Sequence, residues 1–295
     1  MEKEKAICGM WHITQNELRE NGDSDSTLSN LRNKLEPFVF NALEEGYGNK
    51  LTEFWKTYTP PKKAKRAYML VEGRIHPNMW FVLRNIAWAG PDMAVYIFCS
   101  NQNFSYIVNL LGDKAPYFNI IVAFKRTGTT PLNVISQEYH NFFTNWKIWE
   151  LMDTEYAMMI QMDVYIRKRL DDCLFNYDYY ACRWAWKLED PGGALTICRV
   201  AKMVEILKEH KPDLNANCIG SSDEFISQII KAKGTYPPKM ENLFNLLESM
   251  QVFVGKDFKQ IIIDPYAVHQ PWTFSYTFSQ EEFRIFWREL LIIRI

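Results

Sequence analysis

Tyr156-Ala-Met-Met-Ile160 is a short apolar run that stops at Gln161-Met162-Asp163. Such a run reads as a buried strand handing a carboxylate to the carboxyl edge of a sheet, where open α/β folds bind ligands. A strand-end Asp also caps turns, so Asp163 carries both readings. His269, in Tyr266-Ala-Val-His-Gln-Pro-Trp272, follows 106 positions later (269 − 163). It is a candidate ligand or titrating group, against the ordinary role of a satisfied turn histidine. Pro191-Gly192-Gly193 precedes the strand-like run Ala194-Leu-Thr-Ile197. Two glycines let backbone approach a ligand or take positive φ, and a plain tight turn uses them equally. Ser221-Ser-Asp-Glu224 opens a helix. Ser221-x-x-Glu224 is a capping box, which commits Glu224 to the helix N-terminus and leaves Asp223 as the carboxylate available for proton transfer.

Four further residues have paired readings. Glu72 and Arg74 follow the first strand, at the sheet edge where a nucleotide base and ribose would lie, or else form an exposed ion pair. Asp178, between Tyr177 and Tyr179, either orients an acceptor or satisfies backbone groups. Trp184, with Trp186, offers a planar platform for a sugar beside the glycine turn, with core packing as its competitor.

The elements that must position these residues alternate. Ala67–Val71, Ala94–Phe98, 120–124 and Tyr156–Ile160 read as strands; 77–89 and 131–152 read as helices, the second broken near Asn141 to Asn145. Proline stands at the first position of 77–89 and Gly90-Pro91 stops it. This order predicts an α/β fold with a mostly parallel central sheet and helices on both faces. Further on, 177–182 and 194–197 read as strands, 199–209 and 221–233 as helices, and 261–263 as a late strand. Residues 1–58 read as a small helical N-terminal appendage, with a polar loop over 16–29 and a helical stripe of Leu31, Leu35, Phe38 and Ala42. Thr59-Pro-Pro-Lys-Lys-Ala-Lys-Arg66 reads as a linker, which leaves 67–295 as the main domain.

Composition narrows the function classes. A net charge of −1 over 295 residues gives no global attraction to nucleic acid. Six Cys without a C-x-x-C pair indicate neither a zinc module nor a disulfide framework, and fit a reducing, cytoplasmic setting. No signal peptide or membrane span is legible. No G-x-G-x-x-G opens a helix after the first strand, and neither a P-loop nor a nucleophile elbow is present.

A larger pattern joins these residues. Val71-Glu-Gly-Arg74, His76-Pro77, Leu83-Arg-Asn85, Asn103, Gln161-Met-Asp163, Tyr177-Asp-Tyr-Tyr-Ala-Cys-Arg-Trp184, Gly192-Gly-Ala-Leu195, Asp223-Glu-Phe225 and His269-Gln-Pro-Trp272 occur in order from Ala67 to Trp272. In this the chain resembles nucleotide-sugar glycosyltransferases of the GT-A type, in particular a glycosyltransferase-like family of large DNA viruses, fungi and algae. The resemblance implies a GT-A-like sheet and metal-dependent transfer of a sugar from a nucleotide-sugar donor, UDP-linked, to a glycan or protein acceptor. It implies Mn²⁺ or Mg²⁺ at Asp163 and His269, the imidazole tilting the choice toward Mn²⁺. Glu72, Arg74, Gln161 and Asp163 would meet the donor. Asp178, Trp184, Gly192 and Gly193 would meet the acceptor, and Asp223 would take its proton. Three positions depart from the family pattern: Gln161 stands where a full D-x-D has Asp, Pro191 where Asn precedes the glycines, and Ser222-Asp223 where the acidic pair is Glu-Asp. These departures motivate the alternative of a catalytically weakened glycan-binding or structural module on the same fold.

Overall fold

A computed structural model describes residues 2–22, 25–125, 136–184, 187–210, 222–237, 246–248, 265–270, 272 and 278–295. Two helices come first, α1 (Glu2–Asn21) and α2 (Asp25–Thr57). Of the loop expected over 16–29, residues 16–21 are the end of one helix and 25–29 the start of the other. The reason is a buried Glu17, whose carboxylate accepts from Asn21 on its own helix and from Asn30 and Lys34 on the next. Polar residues that read as loop are the ones that lock the helix pair. Pro37 lies inside α2, where it cannot donate to the Asn33 carbonyl one turn back.

The alternating part follows as β1 (Arg66–Glu72), α3 (Met79–Ala89), β2 (Ala94–Ser100), α4 (Phe104–Leu111), β3 (Asn119–Phe124), α5 (Ser136–Phe143), α6 (Trp146–Glu150) and β4 (Tyr156–Ile160). After β4 come β5 (Val164–Ile166), β6 (Tyr179–Trp184), β7 (Lys187–Arg199), α7 (Val200–Glu209), α8 (Ser222–Lys233), β8 (Leu246–Glu248), β9 (Ala267–His269) and α9 (Gln280–Leu290). Helix α3 starts two residues later than the proline signal suggests, with Asn78 as its N-cap. The expected strand at 261–263 lies outside the described residues. The Gly192-Gly193 pair lies within β7, where Pro191 pairs with Arg183, so the turn expected there is strand.

The main sheet has the order β3-β2-β1-β4-β7-β6. Strands β1 to β4 are mutually parallel, and β7 and β6 join antiparallel beyond β4. Both faces are covered, so the central strands are buried at nearly every position. The two-residue period divides them cleanly. Tyr68 and Leu70 of β1 and Val95, Ile97 and Cys99 of β2 pack with α2, α3, α4 and α9. Ala67, Met69 and Val71, with Ala94, Tyr96 and Phe98, pack with α5, α6, α7 and α8.

A second, smaller sheet, in the order β5-β9-β8, extends the structure past β4. Asn85 of α3 fixes it by pairing both backbone groups of Ile166: its Nδ2 donates to the carbonyl at 2.9 Å and its Oδ1 accepts from the N–H at 2.6 Å. The neighbouring Arg84 is buried and ties α3 to α2, donating to the Gly48 carbonyl, Thr52 Oγ1 and Glu44 Oε2 at 3.0, 2.7 and 2.6 Å. A buried guanidinium is tolerable only with such partners.

Helices α1 and α2 therefore do not stand apart from the sheet. Leu31, Leu35, Val39, Leu43 and Leu51 are fully buried in the same cluster as one face of β1 and β2. Phe38, expected on the buried stripe, is 38% exposed, and Val39 and Phe40 are buried instead. Each such side chain contributes about 1.5–3 kcal/mol by burial, so five together match the entire stability of an ordinary domain, roughly 5–15 kcal/mol. A chain beginning at Lys62 is expected to be insoluble or to lose fixed tertiary packing. Near-ultraviolet circular dichroism of that shortened chain checks this, and a native-like spectrum would show that the helices are dispensable.

Candidate functional site

A cleft of about 780 Å³ opens at the carboxyl ends of β1 and β4. Strand β1 delivers Val71, Glu72, Arg74, His76 and Pro77 to it, and the segment after β4 delivers Gln161, Met162 and Asp163. Tyr139 and His140 come from α5. Arg32, Asn33, Glu36 and Pro37 come from α2, which closes the side facing the N-terminal helices. The carboxyl edge of the parallel strands is where the sequence places the site.

Asp163 is 6% exposed. Burial alone would raise its carboxyl pKa, but neighbouring His269, then Arg32 and Gln270, outweigh that and hold it well below the usual carboxylate range. Oδ2 accepts from Arg32 Nη2 at 3.2 Å and from the Gln270 amide. Oδ1 lies 3.3 Å from His269 Nε2, a charge contact without hydrogen-bond alignment. The small sheet creates this approach, because Val164 of β5 sits opposite His269 of β9. Gln270 has φ of 48°, a left-handed conformation unfavourable for a residue with a Cβ. That turn is what brings its amide back to Asp163.

The Glu72 carboxylate is taken up by Arg74. Arg74 Nε and Nη2 donate to its two oxygens at 2.9 Å each, and the Arg74 backbone N–H donates to Oε1 at 2.8 Å. Asn103 secures the same turn, donating to the carbonyls of Glu72 and Arg74 at 2.9 and 2.8 Å. Tyr139 adds a bond to the Val71 carbonyl at 2.7 Å. The ion-pair reading of Glu72 and Arg74 thus describes their mutual contact, and both still line the cleft.

Glu36 is engaged differently. Its Oε1 accepts from Asn78 Nδ2 at 2.6 Å and lies 3.7 Å from His76 Nε2. Asn78 Nδ2 also donates to the Met162 carbonyl at 3.1 Å, so one amide joins Glu36 to the segment carrying Asp163. Burial, then the charge of Asp163, push the Glu36 carboxyl up to about 7, against the opposing pull of Asn78, Arg32 and Arg74. Burial also lowers the pKa of His76.

Of the residues singled out in the sequence, the cleft brings together Glu72, Arg74, Gln161 and Asp163, and His269 lies buried behind Asp163. Asp178 is elsewhere. It accepts from the Thr235 N–H and hydroxyl at 2.9 Å each and pairs with Arg199 at 3.3 Å. Arg199 sits opposite Tyr156, the first residue of β4, so Asp178 lies at the amino end of that strand, away from the cleft. Its role in the structure is to tie the segment before β6 to Thr235, just past α8. The hairpin of β6 and β7 runs the other way: Met159 pairs with Thr196, so Gly192, Gly193 and Trp184 extend past the carboxyl end of β4. The Trp184 side chain lies outside the described residues. Asp223 occupies the first turn of α8, and its side chain also lies outside them. That helix start meets the cleft, since Ser222 N–H donates to Nδ1 of the cleft-lining His140 at 2.9 Å.

Arg32, Glu36, Asn78, Tyr139, His140 and Gln270 escaped the sequence reading. Two signals were present: Arg32 and Glu36 are one helical turn apart with Pro37 beside them, and Gln270 follows His269 directly.

The donor set of Asp163 and His269 fits a divalent cation in part. Two ligand atoms 3.3 Å apart span roughly one edge of an octahedron with bonds of about 2.1–2.3 Å, and Oδ1 is a buried oxygen with no hydrogen bond among the described residues. Among the described residues no group of three or more His, Cys, Asp or Glu side chains could hold a metal ion, so phosphate and water oxygens would have to complete the shell.

Residues 124–248 match a family described as a protein of unknown function, DUF5672. No curated protein matches the sequence. Among solved structures, the chain is similar to the apo form of the glycosyltransferase GlyE of Streptococcus pneumoniae TIGR4, with 11% identity and a TM-score of 0.44. That superposition covers 76% of this chain and 63% of GlyE, so the chain spans less than two thirds of that protein's length. It is also similar to mouse xyloside xylosyltransferase 1 in its apo form, with 7% identity, a TM-score of 0.40, and coverage of 69% and 97%. A third is 4-diphosphocytidyl-2C-methyl-D-erythritol synthase of Anaerococcus prevotii DSM 20548, with 7% identity, a TM-score of 0.36, and coverage of 59% and 86%.

The raised Glu36 carboxyl has a consequence for stability. Between pH 4.5 and about 7 the unfolded chain releases this proton while the folded chain keeps it, so folding loses stability as pH rises through that window. Glu36→Gln removes the ionisation and keeps an oxygen for Asn78. The variant is expected to melt higher than the parent at pH 8, by the equivalent of about 1–3 kcal/mol, with the difference fading toward pH 4.5. Paired melting curves from pH 4.5 to 8 check it; a constant difference would remove Glu36 as its source.

Proposed function

We propose that the protein is a metal-dependent glycosyltransferase that moves a sugar from a nucleotide-sugar donor, UDP-linked, to a glycan or protein acceptor. The observation that carries the reading is the Asp163–His269 contact, buried at the carboxyl edge of a parallel sheet and opening on a cleft large enough for a nucleotide-sized ligand. The ordered motifs of the sequence support it, since Glu72, Arg74, Gln161 and Asp163 line that cleft and His269 lies against Asp163.

The charge balance of the cleft says what the ligand needs. Arg32 and Arg74 are each opposed by a carboxylate, Asp163 and Glu72, which leaves no excess positive charge among these groups for a diphosphate. Mn²⁺ or Mg²⁺ held by Asp163 and His269 would supply it, by neutralising the charge that develops on the departing diphosphate. The protein's own residues orient the donor. Arg74 is half-exposed and pinned by Glu72, so its free N–H groups face the cleft without swinging. Gly192 and Gly193 sit past the end of β4, where a backbone without side chains can approach the acceptor. Stereochemistry decides whether a carboxylate must take the acceptor proton, and Asp223, at the margin of the cleft, is the residue the sequence nominates.

A second reading, a catalytically weakened glycan-binding module on the same fold, is favoured by one contact. Arg32 already occupies Oδ2 of Asp163, and Gln161 provides no second carboxylate. The two readings separate in a thermal-shift series with UDP, GDP and CMP, each with and without Mn²⁺. Transfer predicts a rise of several degrees with one nucleotide only when Mn²⁺ is present, since a ligand at 100 times its Kd adds about 2.7 kcal/mol. Silence toward every nucleotide would favour the binding module. In the Mn²⁺ arm, Asp163→Ala is expected to abolish nucleotide binding by titration calorimetry while the protein stays folded.

A further inference from the structure

Three carboxylates line the cleft, and their partners differ. Both oxygens of Glu72 are filled by the Arg74 guanidinium and backbone. Asp163 has Arg32 and Gln270 on Oδ2 and faces His269 with Oδ1. Glu36 is anchored only through Oε1, by the neutral amide of Asn78. Its Oε2 has no hydrogen-bond partner among the described residues, and the side chain lines the cleft. Asn78 cannot swing, because the same Nδ2 holds the Met162 carbonyl and the residue is buried at the start of α3. Glu36 therefore presents one free oxygen in a fixed orientation, one residue removed through Asn78 and Met162 from the strand-end Asp163.

We propose that Glu36, contributed by the N-terminal helix α2, is the carboxylate that accepts the proton of the acceptor hydroxyl in the cleft. The inference rests on the glycosyl-transfer reading and moves the proton-accepting role away from Asp223. The acceptor O–H bond breaks and its proton goes to Glu36 Oε2. The acceptor oxygen forms a bond to the anomeric carbon of the donor sugar, and the bond from that carbon to the donor phosphate oxygen breaks, its electron pair leaving with the nucleoside diphosphate. No oxidant or reductant is involved. The groups that face Glu36 suit this role: Asn78 fixes its position, His76 lies beside Oε1, and Arg32 and Arg74 offset the nearby Asp163. A carboxyl raised by burial toward neutrality is also a stronger base than an exposed one.

Release of nucleoside diphosphate from UDP-glucose, UDP-galactose and GDP-mannose, with Mn²⁺ and a mixture of mono- and disaccharide acceptors, tests the assignment. Parent, Glu36→Gln, Glu36→Ala and Asp223→Asn proteins are compared. The expected result is a fall in kcat of about 10²-fold for Glu36→Gln with donor KM within a few-fold of the parent. Added formate is expected to restore part of the rate of Glu36→Ala. Parent-like kcat in Glu36→Gln overturns the proposal, as does a rise in its KM with kcat unchanged. A slow Asp223→Asn beside a normal Glu36→Gln returns the role to Asp223. Should the parent itself release no nucleoside diphosphate from any donor, the glycosyl-transfer reading falls and this assignment falls with it.

Discussion

The architecture of the cleft turns on keeping one carboxylate ionised where water scarcely reaches it. A buried charge without partners costs several kcal/mol or gives up its charge. Asp163 keeps its charge because three segments far apart in sequence converge on it: Arg32 from α2, His269 from β9, and Gln270 from the left-handed turn that follows. Each imposes something on the rest. Arg32 requires that α2 lie against the end of β4, and His269 requires the small sheet. The small sheet in turn requires Asn85 of α3 to complete the backbone pairing of Ile166.

The same economy explains the charged pairs of the cleft. Arg74 and Glu72 are locked to each other, and the turn beneath them is clamped by Asn103, whose four hydrogen-bonding positions reach Glu72, Arg74 and Ser100. Glu36 is the exception, a carboxyl with no cation of its own held in a site that disfavours its charge. Groups that destabilise the fold while facing a cleft are the ones a structure retains for chemistry.

Much of this was legible in the sequence, for identifiable reasons. Strands buried on both faces announce themselves as continuous apolar runs, so the parallel sheet followed from their alternation with helices, and the delivery of Asp163 to its carboxyl edge from Tyr156–Ile160. Cross-strand partners cannot be read that way. Asp178, between Tyr177 and Tyr179, read as orienting an acceptor or as satisfying backbone groups, and the antiparallel register of β6 and β7 sets it at the far end of the sheet, bonded to the Thr235 N–H. The N-terminal helices looked separate because Pro60-Pro61 and the lysines after it resemble a linker, whereas Lys65 pairs its carbonyl with the N–H groups of Glu155 and Tyr156 at the root of β4. Helix α9 was overlooked although Ser279 and Glu282 form a capping box, which the structure shows complete. Contributions from α2 were the hardest to foresee, since nothing local reveals that Arg32 meets Asp163, 131 residues on, or that Glu36 meets Asn78, 42 residues on.

The two ends of the described chain meet: Arg288 of α9 donates to both oxygens of Glu4 in α1, at 2.6 and 3.0 Å. Seen from the ribosome, this closure comes late. At about 5–20 residues per second, the stretch from Glu4 to Arg288 takes roughly 15–60 s to synthesise. Throughout that interval α1 has no α9 to pack against, whereas α2 gains β1, α3 and β2 as soon as they follow it. The face of α1 that sets Trp11 against Phe283 is therefore covered only once α9 has been made, after α1 and α2 have already paired with each other.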